Sequence, residues 1–419
     1  MIDIAIPGDK SISHRSLMLA ALATGESRVR RTLVSDDVSA TALCLRELGA
    51  PIPPISEEMR IEGRGLRGLH SPSQPLDCAN SGTTARLLMG IIAGQGLTAI
   101  FTGDESLRGR PMRRVTDPLR RMGANIAELG SSDRLPLRVQ GGPLRSIDYI
   151  SPRSSAQVKS AVLLAALTAG VKVSFSEPVL SRDHTERMLN AMGMELRTVV
   201  DHGGMRIELD PVEALEPLDN IVPADLSSAA FFLARGLLAE PAIRVRDVGV
   251  NATRSGFLDV VRRMKGTIHV ESRDEFATEP VATLIAEMSG LTGTRIEGNE
   301  VPRLVDEIPI IAALATQAEG TTEIVGAGEL RVKESDRLTA MVNNLRNVGA
   351  DAEELHDGLV VHGHRRPLRG RVRSHGDHRV AMAFGILASL PGNQITLDDR
   401  RVVDVSFPQF WNQLQHCRR

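Results

Sequence analysis

The chain is poor in cysteine and aromatic residues, carries almost no net charge and contains no long apolar run. Its three cysteines, Cys44, Cys78 and Cys417, form no CxxC pair and have no histidines at ligand spacing, which excludes a disulfide framework and a structural zinc. No metal site is expected. Aromatics amount to 3% of the residues, leaving few platforms for stacked bases. Lys plus Arg number 50 against 52 for Asp plus Glu, so no global field holds a polyanion, and no nucleic-acid partner is expected. The opening MIDIAIPGDK has no basic segment followed by an apolar one, and the most apolar stretch, Ala161 to Val171, cannot span a bilayer. A soluble, cytoplasmic protein without a membrane partner is expected. Its 419 residues imply two domains.

What the chain does contain is a repeat. An Ala-rich helical segment running into a short β-prone stretch recurs as SLMLAALATGES from Ser16, ARLLMGIIAGQG from Ala85, AVLLAALTAGVK from Ala161, AAFFLARGLLAEP from Ala229, IIAALATQAEGTTE from Ile310 and VAMAFGILASLPGN from Val380. The copies lie roughly 70–80 residues apart, the signature of one supersecondary unit reused. Between them sits a second, amphipathic helix ending in Gly and a small residue, as in LRELGA from Leu45, LRRMGA from Leu119 and LRNVGA from Leu345. The pattern is α/β, with three units per half in two similar domains. The linker candidate is the segment 213–226, where Pro217 and Pro223 follow Pro211.

Polar residues gather at the starts of the repeated helices: Lys10, Ser11 and Arg15; Asn80, Gly82 and Arg86; Ser155, Gln157 and Lys159; then Asp225 with Ser227, Asp306 with Glu307, and Asp377 with His378 and Arg379. Ser, Asn and Asp at these places can be N-caps. The cations cannot, since Lys or Arg in a first helical turn opposes the helix dipole unless an anion is near. Lys10, Arg15, Arg86, Lys159 and Arg379 together predict a ligand with several negative charges, lying against helix N–H groups. Two further basic clusters span residues 103–115 and 330–338. In the second, Lys333, Glu334 and Arg337 place a carboxylate between cations on one helical turn, which suits acid/base chemistry beside an anion; a surface i,i+3 ion pair is the competing explanation.

The segments PGDKSISHR, LDCANSGTTARLL, GDESLRGRPMRRVTDPLRRMGA, SSAQVKSAVLLAAL, SRDHTERML, VDEIPIIAALA, LRVKESDRL and GDHRVAMAF, in this order over essentially the whole length, resemble the 5-enolpyruvylshikimate-3-phosphate synthases. The resemblance implies two similar domains of three βαβαββ units each, 9–224 and 1–8 with 225–419, a second crossing near 222–225, and an active site in the interdomain cleft that closes on its substrates. It implies transfer of the enolpyruvyl group of phosphoenolpyruvate to the 5-hydroxyl of shikimate 3-phosphate without a cofactor; a monomer is expected. Carried over, shikimate 3-phosphate is held by Lys10, Ser11, Arg15, Ser155, Ala156, Gln157, Ser181, Asp306 and Lys333. Phosphoenolpyruvate meets Lys10, Gly82, Arg110, Gln157, Arg337 and Arg379. Asp306 takes the hydroxyl proton, Glu334 handles the methylene proton, Lys10 assists, and His378 acts or merely orients its neighbours.

Some positions depart from the family. Ala156 stands where a serine occurs, Glu329 where an asparagine does, Arg182 or His184 takes the place of a tyrosine, and DVSFP carries Val405 where a lysine is common. Two rivals remain. The sibling UDP-N-acetylglucosamine enolpyruvyl transferase has a Lys-Asn pair and a loop cysteine, whereas Lys10 precedes Ser11 and residues 108–113 hold no cysteine. A non-catalytic anion- or RNA-end-binding relative has no use for Asp306 and Glu334 together.

Overall fold

The computed structural model describes residues 1–201, 204–276 and 278–417. They form two compact units, Gly8–Val222 with Phe276–Glu279, and Met1–Pro7 with Pro223–Glu275 and Pro280–Arg419. Each has its own apolar core.

In the unit 8–222 one sheet design recurs. Thr98–Thr102 pairs in parallel with Leu76–Asp77 and antiparallel with Leu137–Gln140, which pairs with Asn125–Glu128. Val173–Glu177 repeats this with Ile147–Ile150, Gly204–Leu209 and Arg197–Asp201. A helix bridges each parallel pair, as a crossover between parallel strands demands. In the remaining sheet Glu26–Arg30 takes its parallel partner, Asp219–Ile221, from far along the chain.

The other unit follows the same plan. Gly320–Ile324 lies between Arg295–Ile296 and Gly358–Gly363, with Asp351–Leu355 outermost. Ile243–Gly249 pairs in parallel with Ile2–Asp3, so the chain start completes this unit's first sheet. Arg369–Val372 and Gln394–Leu397 form a two-stranded parallel sheet.

The repeated helices are the inner ones. Lys10–Leu22, Gly82–Gly94 and Ala156–Ala169 are buried nearly all round, as their continuous apolar composition requires, whereas Asp36–Glu47, Arg113–Met122 and His184–Ala191 bury one face. Gly82–Gly94 packs on Ala156–Ala169 through glycines: a Cβ on Gly90 would lie 2.2 Å from the Ala161 carbonyl oxygen, and one on Gly94 2.4 Å from that of Ala165. In the second unit the inner helices are Leu226–Leu238, Ile308–Thr316 and His378–Ala388. Among the described residues no helix is long and apolar enough to cross a membrane.

Candidate active site

Four of the six inner helices start with a side-chain cap. Asp9 accepts from the Ile12 N–H, Ser81 from Thr84, Asp225 from Ser227, and Asp377 from Arg379 and Val380. Each cap satisfies one or two of the otherwise orphaned N–H groups of the first turn. Ser155 does not cap with its side chain. The expectation of first-turn cations needs correcting, because the helices begin earlier than their apolar segments: with starts at Lys10 and Gly82, Arg15 and Arg86 fall in the second turn.

In the unit 8–222, Lys10 reaches Asp37 at 2.8 Å. Arg15, 4% exposed, donates to the hydroxyls of Ser160 and Thr185 at 2.8 Å each and to the Ser11 carbonyl at 3.0 Å. Burial holds the Arg15 pKa down to about 10, partly offset by Glu186, so the guanidinium stays charged at neutral pH. Gly82 lies against two arginines: a Cβ there would be 2.6 Å from one Arg86 terminal nitrogen and 3.4 Å from one of Arg110. Arg110 donates to the side-chain oxygen of Asn80 at 2.5 Å and to Ser106 at 3.2 Å. Arg86 donates to the Gln157 amide oxygen at 2.9 Å, and the Gln157 amide nitrogen donates to Thr83 at 3.0 Å. Gly82, Arg86, Arg110 and Gln157 therefore form one connected, electropositive group. Ala156 opens its helix, and Ser155 and Ala156 are both partly exposed.

Lys159 is corrected outright. Its ammonium is fully buried between Glu177 at 3.0 Å and Glu186 at 2.7 Å, so it belongs to an internal ion cluster and not to the anion-binding set. The Ser181 hydroxyl and N–H both donate to the same Glu177, at 2.9 and 2.8 Å.

In the other unit the charges converge on Arg337, which is 1% exposed. Its Nε donates to Asp377 at 2.7 Å, one terminal nitrogen to Glu334, and another lies 3.5 Å from Asp306. Burial opposes its charge, but Asp377, Glu334 and Asp306 outweigh that and raise its pKa above the ordinary arginine value. The i,i+3 pair of Glu334 and Arg337 is thus real, but its guanidinium is buried and Glu334 only 17% exposed, so it is not a pair of solvated surface side chains. Arg379 stands 3.6 Å from the Asp306 carboxylate and donates to the Asp306 carbonyl at 3.2 Å. His378, 2% exposed, is the first residue of its helix.

Residues 333–337 also depart from the expected single helical turn. The helix begins only at Arg337, capped by Asp336, after a 3-10 turn at Gly328–Val332, so Lys333 and Glu334 do not share a helical turn with Arg337. Lys333 instead pairs with Glu329 at 3.1 Å.

The sequence places Asp377 at a helix start without revealing its partner Arg337, and it leaves Glu177 without a role. Asp377 divides its carboxylate between capping a helix and fixing Arg337. Glu177 ends the strand Val173–Glu177, where Val173, Phe175 and Glu177 alternate inward; a carboxylate in the apolar register of a strand was the available signal.

Comparison with known proteins agrees over the full length. Residues 2–414 match the family model for EPSP synthase (3-phosphoshikimate 1-carboxyvinyltransferase). The 3-phosphoshikimate 1-carboxyvinyltransferase of Gloeobacter violaceus is 48% identical, covering 100% of this chain and 96% of that protein. That of Bacillus velezensis is 45% identical, covering 100% and 97%. Among solved structures, EPSP synthase from Acinetobacter baumannii superposes with a TM-score of 0.84 at 37% identity over 99% of this chain and 95% of that one. The enolpyruvyl transferase NikO from Streptomyces tendae, 17% identical, shares the fold with a TM-score of 0.76 over 100% and 94%. A match that runs from the first sheet to the last helix, together with arginines and carboxylates grouped at helix starts in each unit, means that this chain belongs to the EPSP synthase (3-phosphoshikimate 1-carboxyvinyltransferase) family.

Proposed function

We propose that this chain catalyses the reaction named for its relatives: transfer of the enolpyruvyl group of phosphoenolpyruvate to the 5-hydroxyl of shikimate 3-phosphate, with release of phosphate. The observation that carries this reading, beyond family membership, is that one buried guanidinium, Arg337, holds Glu334 and lies 3.5 Å from Asp306, which brings two carboxylates together beside fixed positive charge.

The chemistry divides between them. In the addition step Asp306 accepts the proton of the 5-hydroxyl as its oxygen bonds to C2 of phosphoenolpyruvate, and C3 gains a proton from Glu334. In the elimination step the bond from C2 to the phosphate oxygen breaks, C3 returns its proton, and the double bond re-forms. Such positioned acids and bases contribute about a hundredfold to ten-thousandfold each. Lys333, which pairs with Glu329 in the structure, is assigned to the neighbourhood of Asp306, Lys10 assists, and His378 orients its neighbours.

Phosphoenolpyruvate is assigned Gly82, Arg110, Gln157, Lys10, Arg337 and Arg379. The connected group around Gly82 supports this, because a glycine at a helix start lets an anion approach both backbone N–H groups and guanidinium. Shikimate 3-phosphate is assigned Ala156, Asp306 and Lys333, with its phosphate and carboxylate region on Lys10, Ser11, Arg15, Gln157, Ser181 and Ser155. The uncapped start of Ala156–Ala169 supports that last assignment.

The test is release of inorganic phosphate from phosphoenolpyruvate with shikimate 3-phosphate as acceptor and UDP-N-acetylglucosamine as control. Turnover with the first acceptor alone is expected. Turnover with the second would transfer the chain to the sibling activity, and none with either would make it a binder.

We further propose that the protein works in the cytoplasm, as a monomer and without a cofactor, and that the domain division is 9–224 against 1–8 with 225–419. The loss of a family lysine at Val405 is expected to weaken phosphoenolpyruvate.

A further inference from the structure

Inside the unit 8–222 lies an ion cluster for which the proposed chemistry has no use. Lys159, Glu177 and Glu186 are all buried, and the Lys159 ammonium touches both carboxylates. A lysine and two glutamates in a core are costly unless they organise something, since each charge gives up its hydration. What they organise is visible in the hydrogen bonds. One Glu177 oxygen accepts from the Ser155 N–H at 3.2 Å, while the other accepts the Ser181 N–H at 2.8 Å and the Ser181 hydroxyl at 2.9 Å. Lys159 closes the figure by donating to the Ser181 carbonyl at 3.0 Å. Beside it, the Ser154 hydroxyl donates to the Val179 carbonyl at 2.5 Å and accepts from the Val179 N–H at 3.0 Å.

Two separate segments, 154–155 before a helix and 179–181 after a strand, are therefore laced together around one carboxylate. We infer that Glu177, held by Lys159, is a positioning residue that fixes the segments of Ser155 and Ser181 at a set spacing, leaving the Ser155 hydroxyl for the phosphate of the acceptor substrate and the Ser181 hydroxyl to turn its one proton from Glu177 to that phosphate. The inference rests on the reading of Ser155 and Ser181 given above. Neither serine could hold that spacing through its own helix or strand alone, because they lie on different elements. Arg15 enters the same arrangement through the hydroxyls of Ser160 and Thr185, which neighbour Lys159 and Glu186 in sequence.

Glu177→Gln is the informative variant. It keeps the volume, and Lys159 retains Glu186 at 2.7 Å, so no ammonium is stranded. The amide nitrogen that replaces one carboxylate oxygen cannot accept from an N–H, so one of the two laced segments must let go. Calorimetric binding of shikimate 3-phosphate and of unphosphorylated shikimate is the measurement, with steady-state kinetics beside it. The preference for the phosphorylated over the unphosphorylated compound is expected to fall at least about tenfold, with kcat and the KM for phosphoenolpyruvate within about threefold of the parent. Ser154→Ala loosens the same lacing without touching buried charge; a smaller fall in the same preference, about threefold, is expected, and it decides the matter if Glu177→Gln does not fold. An unchanged preference in the folded variants, or equal weakening of both compounds, overturns the positioning role. If the parent protein itself shows no preference for the phosphate, it is the assignment of Ser155 and Ser181 that fails.

Discussion

In the unit 8–222 the hydrogen bonds of Arg15 and Arg86 reach hydroxyl, amide and carbonyl oxygens, whereas in the other unit Arg337 and Arg379 face carboxylates. A neutral oxygen orients a guanidinium without cancelling its charge, while a carboxylate does both. Helix starts in the two units therefore differ in their charge partners. The neutral partners of Arg15 and Arg86 suit the proposed binding of an anion, and the carboxylates beside Arg337 and Arg379 include the two to which acid/base roles are proposed.

The sharpest way to break this comparison is to neutralise the carboxylates one at a time. Asp306→Asn and Glu334→Gln each preserve shape and are expected to lower kcat by about a hundredfold to ten-thousandfold. Shikimate 3-phosphate binding, followed by calorimetry, should survive in both. Near-normal turnover in either variant removes that residue from the mechanism.

Stability should separate the two kinds of arginine. Arg337→Met leaves the buried Asp377 and the partly buried Glu334 without their guanidinium, a loss of about 3–5 kcal/mol. Arg15→Met breaks hydrogen bonds to hydroxyls and should cost less, roughly 1.5–3 kcal/mol. Urea unfolding of the two variants side by side is the measurement. Equal losses would mean that Arg15 also serves mainly as an internal counter-ion.

Acid should act on the first unit through His14. Its ring, buried and 2.6 Å from the Thr41 hydroxyl, is held by that burial down to a pKa of about 3. An unfolded histidine ionises near pH ~6.5, so between these values the unfolded chain binds the extra proton and stability falls as pH drops. His14→Gln is expected to flatten the pH dependence of unfolding by up to about 1.4 kcal/mol per unit across roughly pH 4–6. An unaltered slope would show that His14 is not neutral in the fold.

The smallest effect expected is at Gly82. A Cβ there meets the far end of the Arg86 side chain, which can move, so Gly82→Ala should cost little stability. Displacing that guanidinium should raise the KM for phosphoenolpyruvate about tenfold, equivalent to ~1.4 kcal/mol. Shikimate 3-phosphate should be less affected. Equal loss of both would point to general disturbance of the helix start.

Much of this was legible in the chain itself. The recurrence of Ala-rich segments announced the inner helices, because a helix apolar all round has to be buried, and that demand shows in composition. Cysteine poverty and charge balance are likewise properties of the sequence. Helix starts were less legible: the Lys10 and Gly82 starts precede the apolar segments by several residues, since a cap and a first turn are polar and carry no periodic signal.

What only the tertiary structure decided is which cation does what. Lys159 and Arg15 look alike as basic residues in inner helices, yet Lys159 is sealed between Glu177 and Glu186, while Arg15 rests on Ser160 and Thr185. Likewise Glu334 and Arg337 read as a surface pair until Asp377, 40 residues further along, is found on the same guanidinium. The reason is physical. Hydrophobic periodicity is a local property of the chain, written in neighbouring residues, whereas the partner of a buried charge is set by which distant segments the fold brings within about 3 Å, the range over which charge-assisted hydrogen bonds act.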